Sequence, residues 1–204
     1  MSLLNKQEQQ RISETIESIE KLTDAELVTV LAARSDNYHY IPTLWSALLA
    51  LMTPSIIQLG QFWLELQELF LIQIIVFVSI ALLFRIPALM VRLIPKKVRF
   101  WRAANMARRQ FLEQGLHRTK GATGVLIFVS EAEHYVEILA DQGIDQYISQ
   151  ADWQQITDSF VGSIKKGQVQ DGFIDAINSC GKILAKHVPA TEQKNELPNH
   201  LILI

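Results

Sequence analysis

Apolar residues follow three different patterns along this chain. In the polar stretch 6–21, Ile12, Ile16 and Ile19 recur at helical spacing, which predicts an amphipathic helix. Residues 26–33 then form a near-continuous apolar run, as expected of a strand covered on both faces. Two long apolar stretches follow, 41–59 and 69–83. Beyond them the spacing predicts a helix over 100–116 with Gly115 at its end, and a loop over 119–124. Two short strands, 125–129 and 135–139, are joined by the polar link 130–134. A loop over 140–149 leads to a helix over 150–166 that places Trp153, Ile156, Phe160 and Ile164 on one side. Lys165, Lys166 and Gly167 supply the cations and the glycine that favour a helix end. A last helix over 170–187 turns Phe173, Ile174, Ile177, Ile183 and Leu184 inward, and Leu201–Ile204 suits an edge strand or a docked tail. This order predicts an α/β domain with helices on both faces of a sheet.

The two long apolar stretches interrupt that domain between its first and second strands. Residues 41–59 carry no charge, contain Pro54, and are long enough to span a bilayer. The second stretch reaches a similar length if it runs on through Phe84, Arg85, Ile86 and Pro87 with Arg85 at the interface. The connector 60–68 has only acidic charges, and Trp63 suits the headgroup level. After the second stretch come Arg85, Arg92, Lys96, Lys97, Arg99, Arg102, Arg108 and Arg109, and Arg34 stands before the first. Cations mark the cytoplasmic side, so a multi-pass hairpin with both termini cytoplasmic is expected. Two other readings compete with it. One is a pair of buried helices in a soluble protein; the other is a re-entrant hairpin, suggested by the short second stretch and the two prolines. The expected organisation is residues 1–40 and 98–189 as one split domain, 41–97 as the hairpin with its basic flank, and 190–204 as a tail.

Composition narrows the partners. The positive mean hydropathy comes mainly from the central stretches. A net charge of −2 argues against nucleic acid as a partner. The basic run beside the second stretch fits orientation and contact with anionic membrane lipids instead. One cysteine, Cys180, excludes an internal disulfide and fits a reducing compartment. The polar first residues predict no cleaved signal peptide.

Several of these segments together resemble a known family. Glu26-Leu27-Val28-Thr29-Val30 resembles its first strand, and Gly124-Val125-Leu126-Ile127-Phe128-Val129 its second. Val136-Glu137-Ile138-Leu139, the glycine loop after it, Lys166-Gly167 and Asp171-Gly172-Phe173 resemble the remainder. This is the pattern of the TPM domain, and most of all of the bacterial members that carry a membrane hairpin within the domain. Asn195-Glu196-Leu197-Pro198 is similar to their terminal motif. The resemblance implies a three-layer α/β/α sandwich at the bacterial inner membrane. It also implies either an accessory factor for assembly or repair of membrane complexes, or an acid phosphatase that uses calcium. Where the family's acidic loop ends in a Thr-Asp pair, this chain has Ser149-Gln150, which removes a carboxylate.

The candidate chemistry is sparse. Asp141 and Asp145, four apart with Gly143 between, can converge on a hard cation such as calcium, joined by Asp152 or by Glu137 from the preceding strand. The simpler expectation is that Asp145 or Asp152 caps the helix starting near Gln150. Two or three carboxylates alone would hold calcium weakly, so no cofactor is firmly implied. His117 and Arg118 pair a proton carrier with an oxyanion clamp, which makes them the candidates for phosphate chemistry. No second histidine, aspartyl nucleophile motif or glycine-rich phosphate cradle accompanies them. Glu131, Glu133 and His134 read as solvated, and Cys180 as a small packing residue. The balance favours a non-enzymatic scaffold that binds another membrane protein or itself, with a metal-dependent phosphatase as the alternative.

Overall fold

In the computed structural model, residues 4–38, 40–60, 64–86, 89, 94–191, 197–198 and 201–204 are described. They form two compact units, residues 1–35 with 100–204 and residues 36–99.

The first unit is built on a four-stranded sheet in the order β3-β2-β1-β4. β1 (Glu26–Ala32) and β2 (Gly124–Ser130) pair in parallel along their full length, from Glu26 opposite Gly124 to Ala32 opposite Ser130. β3 (Tyr135–Ala140) runs antiparallel to β2, and β4 (Leu201–Leu203) runs parallel to β1 at the other edge. Every residue of β1 and β2 is buried, as their unbroken apolar runs require of strands covered on both faces. Leu27, Leu31, Val125, Ile127 and Val129 face a layer made by α1 (Lys6–Glu20), α6 (Gln150–Lys165) and α7 (Val169–His187). Val28, Val30, Ala32, Leu126 and Phe128 face Ala103 and Ala107 of α4 (Lys96–Glu113) and the buried Leu116. The result is the expected three-layer α/β/α sandwich.

Local chemistry explains the element ends. Asn5 starts α1 through a reciprocal cap: its side chain accepts from the Glu8 N–H at 2.9 Å, while Glu8 accepts from the Asn5 N–H at 2.6 Å. Gly115 adopts φ 75° and closes α4, as the sequence suggested. α4 itself begins four residues earlier than expected, at Lys96. The loop expected over 140–149 contains one helical turn, α5 (Gln142–Asp145), which Asp141 caps.

The second unit consists chiefly of α2 (Tyr40–Leu59) and α3 (Leu66–Leu83), which pack against each other. Both are long and apolar enough to cross a membrane. α3 gains its length at the front. It starts at Leu66, where the Glu68 side chain accepts from the Glu65 N–H at 3.0 Å, and it stops at Leu83 rather than running through Arg85. Pro54 is retained inside α2. Ser46 and Thr53 spend their hydroxyls on the Pro42 and Leu49 carbonyls, at 2.8 and 3.4 Å, so neither leaves a bare polar group on the helix. Trp63, Pro87, Arg92, Asn195 and Glu196 lie outside the described residues.

Candidate functional site

The acidic turn after β3 is held by backbone packing. The Asp141 N–H donates to the Gly124 carbonyl at 2.9 Å, and its carboxylate accepts from the Gln142 N–H at 2.8 Å. Gly143 donates to the Ala122 carbonyl at 2.9 Å. A Cβ at 143 would lie 2.2 Å from the Gly121 oxygen and 2.6 Å from the Ala122 oxygen. The glycine therefore permits close approach of two backbones. It does not open a ligand cradle.

Asp145 is exposed on this turn. Asp152 belongs to the start of α6: Ser149 is the cap, accepting from the Asp152 N–H at 3.3 Å and donating its hydroxyl to the Asp152 carboxylate at 2.6 Å. Capping thus falls to Asp141 and Ser149, and neither Asp145 nor Asp152 takes the capping role expected of it. Glu137 lies on β3 opposite Phe128, where Tyr135 and Arg108 are its polar neighbours. Burial raises its carboxyl above the usual range, against the opposing pull of the Tyr135 hydrogen bond and the Arg108 charge. Among the described residues no three His, Cys, Asp or Glu side chains are gathered so as to hold a metal ion.

His117 and Arg118 share one 3₁₀ turn, Leu116–Arg118, anchored by the buried Leu116. Both side chains are exposed, and the Arg118 Nε donates to the His117 Nε2 at 3.2 Å. The pair occupies itself, and no hydrogen bond or ion pair among the described residues ties it to the acidic turn.

A tightly built polar cluster lies elsewhere and was not foreseen from the sequence. Glu133, expected to be solvated, is 1 % exposed. Its two carboxylate oxygens accept from the Ser35 N–H at 3.2 and 3.1 Å. The Ser35 hydroxyl donates to the Ser130 Oγ at 2.7 Å, and Ser130 in turn donates to Glu133. Backbone bonds from Glu131 to Ala32 (3.0 Å) and from Ala132 to Ala33 (3.2 Å) complete the tie. The cluster sits at the carboxyl ends of β1 and β2, where open α/β sheets bind their ligands. Here it fastens the last residues before the apolar insert to the β2–β3 link. Glu133→Ala strips the part-buried Ser35 N–H and the buried Ser130 hydroxyl of that acceptor, a loss of about 2 kcal/mol. The thermal midpoint of the detergent-solubilised protein should drop by about 4–8 °C, and an unchanged midpoint would show the tie to be dispensable.

Beside this cluster a cavity of about 440 Å³ is floored by Val129, Ile164 and Val169 and rimmed by Glu131, His134 and Lys165. His134 holds a positive φ of 50° in the tight link, with its N–H on the Glu131 carbonyl at 3.0 Å. Cys180 is fully buried, and desolvation pushes its thiol up to about 12, which makes it the inert packing residue expected.

A second unforeseen group is Glu20, at the end of α1. Its carboxylate accepts from the Leu27 N–H at 3.0 Å. Burial, with help from the Glu26 and Glu17 charges, pushes it from 4.5 to about 8, although the Leu27 bond pulls the other way. The folded chain therefore holds a proton that the unfolded chain has released. This contribution to stability is complete below pH 4.5 and is lost as pH rises through about 8. Glu20→Gln keeps the acceptor and removes the titration. Its stability should overtake the parent's by about 1–2 kcal/mol at pH 9, allowing for partial solvent screening. Parallel pH–midpoint curves for the two proteins would contradict this.

Against this geometry, residues 90–183 match the model of the TPM domain. The stretch that carries β2, β3 and most of the helical layers is thus similar to the TPM domain, as its strand motifs suggested. The solved NMR structure of the BA42 protein from the psychrophilic bacterium Bizionia argentinensis is similar at a TM-score of 0.62. The match spans 100 % of this chain and 97 % of that one at 19 % identity, and it shows a shared fold. No curated protein matches the chain.

Proposed function

We propose that this chain is a membrane-held accessory protein, a TPM domain fixed at the bacterial inner membrane by a multi-pass hairpin with both flanks cytoplasmic. In this reading it binds another membrane protein, or a second copy of itself, and serves the assembly, stability or repair of membrane complexes. The observation that carries the proposal is the apolar surface of α2 and α3. α3 has no buried residue, and Phe70, Leu71, Ile74, Ile75 and Leu82 are each more than half exposed. Leu44, Leu51, Met52 and Ile56 do the same on α2. Water-soluble surfaces rarely carry so large a contiguous apolar patch, whereas lipid is its natural solvent.

The sheet supports the same-side arrangement. β1 precedes the insert and β2 follows it, yet they pair over seven residues. Any crossing of a bilayer between them must occur an even number of times. The six cations of α4 support the cytoplasmic side for that shared face. The accessory role draws on the TPM resemblance and on the lack of a gathered catalytic set among the described residues.

The test is to purify the full chain in mild detergent and follow phosphomonoester hydrolysis with and without calcium. Turnover that needs calcium and disappears in Asp141→Ala/Asp145→Ala would establish the phosphatase instead. The accessory reading expects equal inactivity of both proteins, resistance to carbonate extraction, and migration from native membranes as a complex larger than the chain alone.

A further inference from the structure

The outward stripe of α4 has an unusual composition for a helix of a chain with net charge −2. Its eighteen residues hold six cations and one acid, Glu113. That acid is already paired, with the Arg109 Nε at 2.7 Å. Ala103, Ala107 and Gln110 form the buried side. On the opposite side Trp101, Arg108 and Leu112 stand seven and four residues apart, which aligns them along one face of the helix. Trp101 is 56 % exposed and Leu112 58 %. Arg102 lies over the Trp101 ring, 5.0 Å from its centroid.

We propose that this face, Trp101, Arg108 and Leu112 flanked by Arg102 and Arg109, docks in the headgroup layer of an anionic phospholipid bilayer. The inference deepens the membrane reading above and rests on it. Aligned with Arg108, the two exposed apolar side chains give this face an amphipathic character. An interfacial helix uses both, sinking indole and leucine to the acyl boundary while its arginines reach the phosphates. Charge complementarity favours anionic lipid over neutral lipid, since each cation near such a surface adds about 1 kcal/mol. Chain length brings the bilayer within reach, because Trp101 comes only eighteen residues after Leu83, the end of α3.

The test uses the full chain with Trp45, Trp63 and Trp153 changed to Phe, leaving Trp101 as the reporter. It is reconstituted into phosphatidylcholine vesicles with or without phosphatidylglycerol, each containing lipid brominated high on the acyl chain. Expected is strong quenching of Trp101 in the anionic vesicles and weak quenching in the neutral ones, with the difference abolished by 1 M salt. Arg108→Gln and Leu112→Gln, made separately so that a folding failure of one leaves the other informative, should each reduce the docked fraction by roughly fivefold. Equal quenching in both vesicle types, or free access of iodide to Trp101 in both, overturns the proposal. Retardation of a DNA oligonucleotide without lipid quenching would also overturn it and assign the face to nucleic acid. Loss of the protein to carbonate extraction instead defeats the hairpin reading, so the two failures are distinguishable.

Discussion

On the proposed membrane reading, Ile74→Arg/Val78→Arg is expected to expel α3 from the bilayer and, as a consequence, to prevent the α/β domain from closing. The two positions lie one turn apart at the middle of Leu66–Leu83, and both are exposed. An arginine at the centre of a span costs about 2.5–3.5 kcal/mol on insertion scales, so the pair costs roughly 5–7 kcal/mol. With α2 inserted and α3 expelled, β2 would be delivered to the side opposite β1, and the seven-residue pairing could not form. The sole thiol gives a direct readout. Cys180 is fully buried in the closed domain. A membrane-permeant maleimide should label the double-arginine chain rapidly in intact membranes and leave both the parent and Ile74→Leu/Val78→Leu protected. Equal protection in all three would mean that α3 does not cross.

Gly143→Ala is the second large effect, expected to cost about 3 kcal/mol. The added methyl would meet the Gly121 and Ala122 carbonyl oxygens at 2.2 and 2.6 Å. Those are backbone atoms of a loop that is itself fixed, with the Thr123 N–H on the Thr119 Oγ1 at 3.1 Å and the Ala122 N–H on the Thr119 carbonyl at 3.1 Å. Neither partner can swing aside as a side chain would. Relief would require breaking the Gly143–Ala122 bond and lifting α5 off the sheet. The thermal midpoint of the solubilised chain should fall by about 6–12 °C. Gly162→Ala is the control, because its added Cβ meets nothing within 4 Å. If both substitutions shift the midpoint equally, the close approach is not what makes Gly143 necessary.

These two cases show what could be read from the residues and what could not. β1 and β2 were legible because burial on both faces leaves an unbroken apolar run. α2 and α3 were legible because each leaves an even longer apolar run. The packing of α7 was legible only in part. Phe173, Ile177 and Leu184 point inward as expected, but Ile174 and Ile183 are half-buried, and the closest contact uses small residues. A Cβ at Gly181 would lie 2.5 Å from the Ile19 side chain, so α1 and α7 approach through a missing side chain. A search for large apolar residues passes over such contacts. Glu133 was misread for a different reason. Its partner Ser35 is 98 residues away, and within the link alone it looks like any charged turn residue. The acidic turn was found, but its geometry is set by the loop at Gly121 and Ala122, which spacing within the turn does not reveal.

The register of the first two strands also bears on how the protein is made. Each residue of β1 waits for a partner synthesised 98 positions later, and its other neighbour, β4, comes last of all. A nascent chain therefore presents seven buried-type strand residues with both edges open while the insert is still emerging. Such an edge is the kind of segment that aggregates. Delivery of the insert to lipid during translation would hold the ribosome-bound chain at the membrane and away from other copies. It would also keep β1 beside the place where β2 appears. On the proposed membrane reading, lipid would then take part in folding as well as house the finished protein.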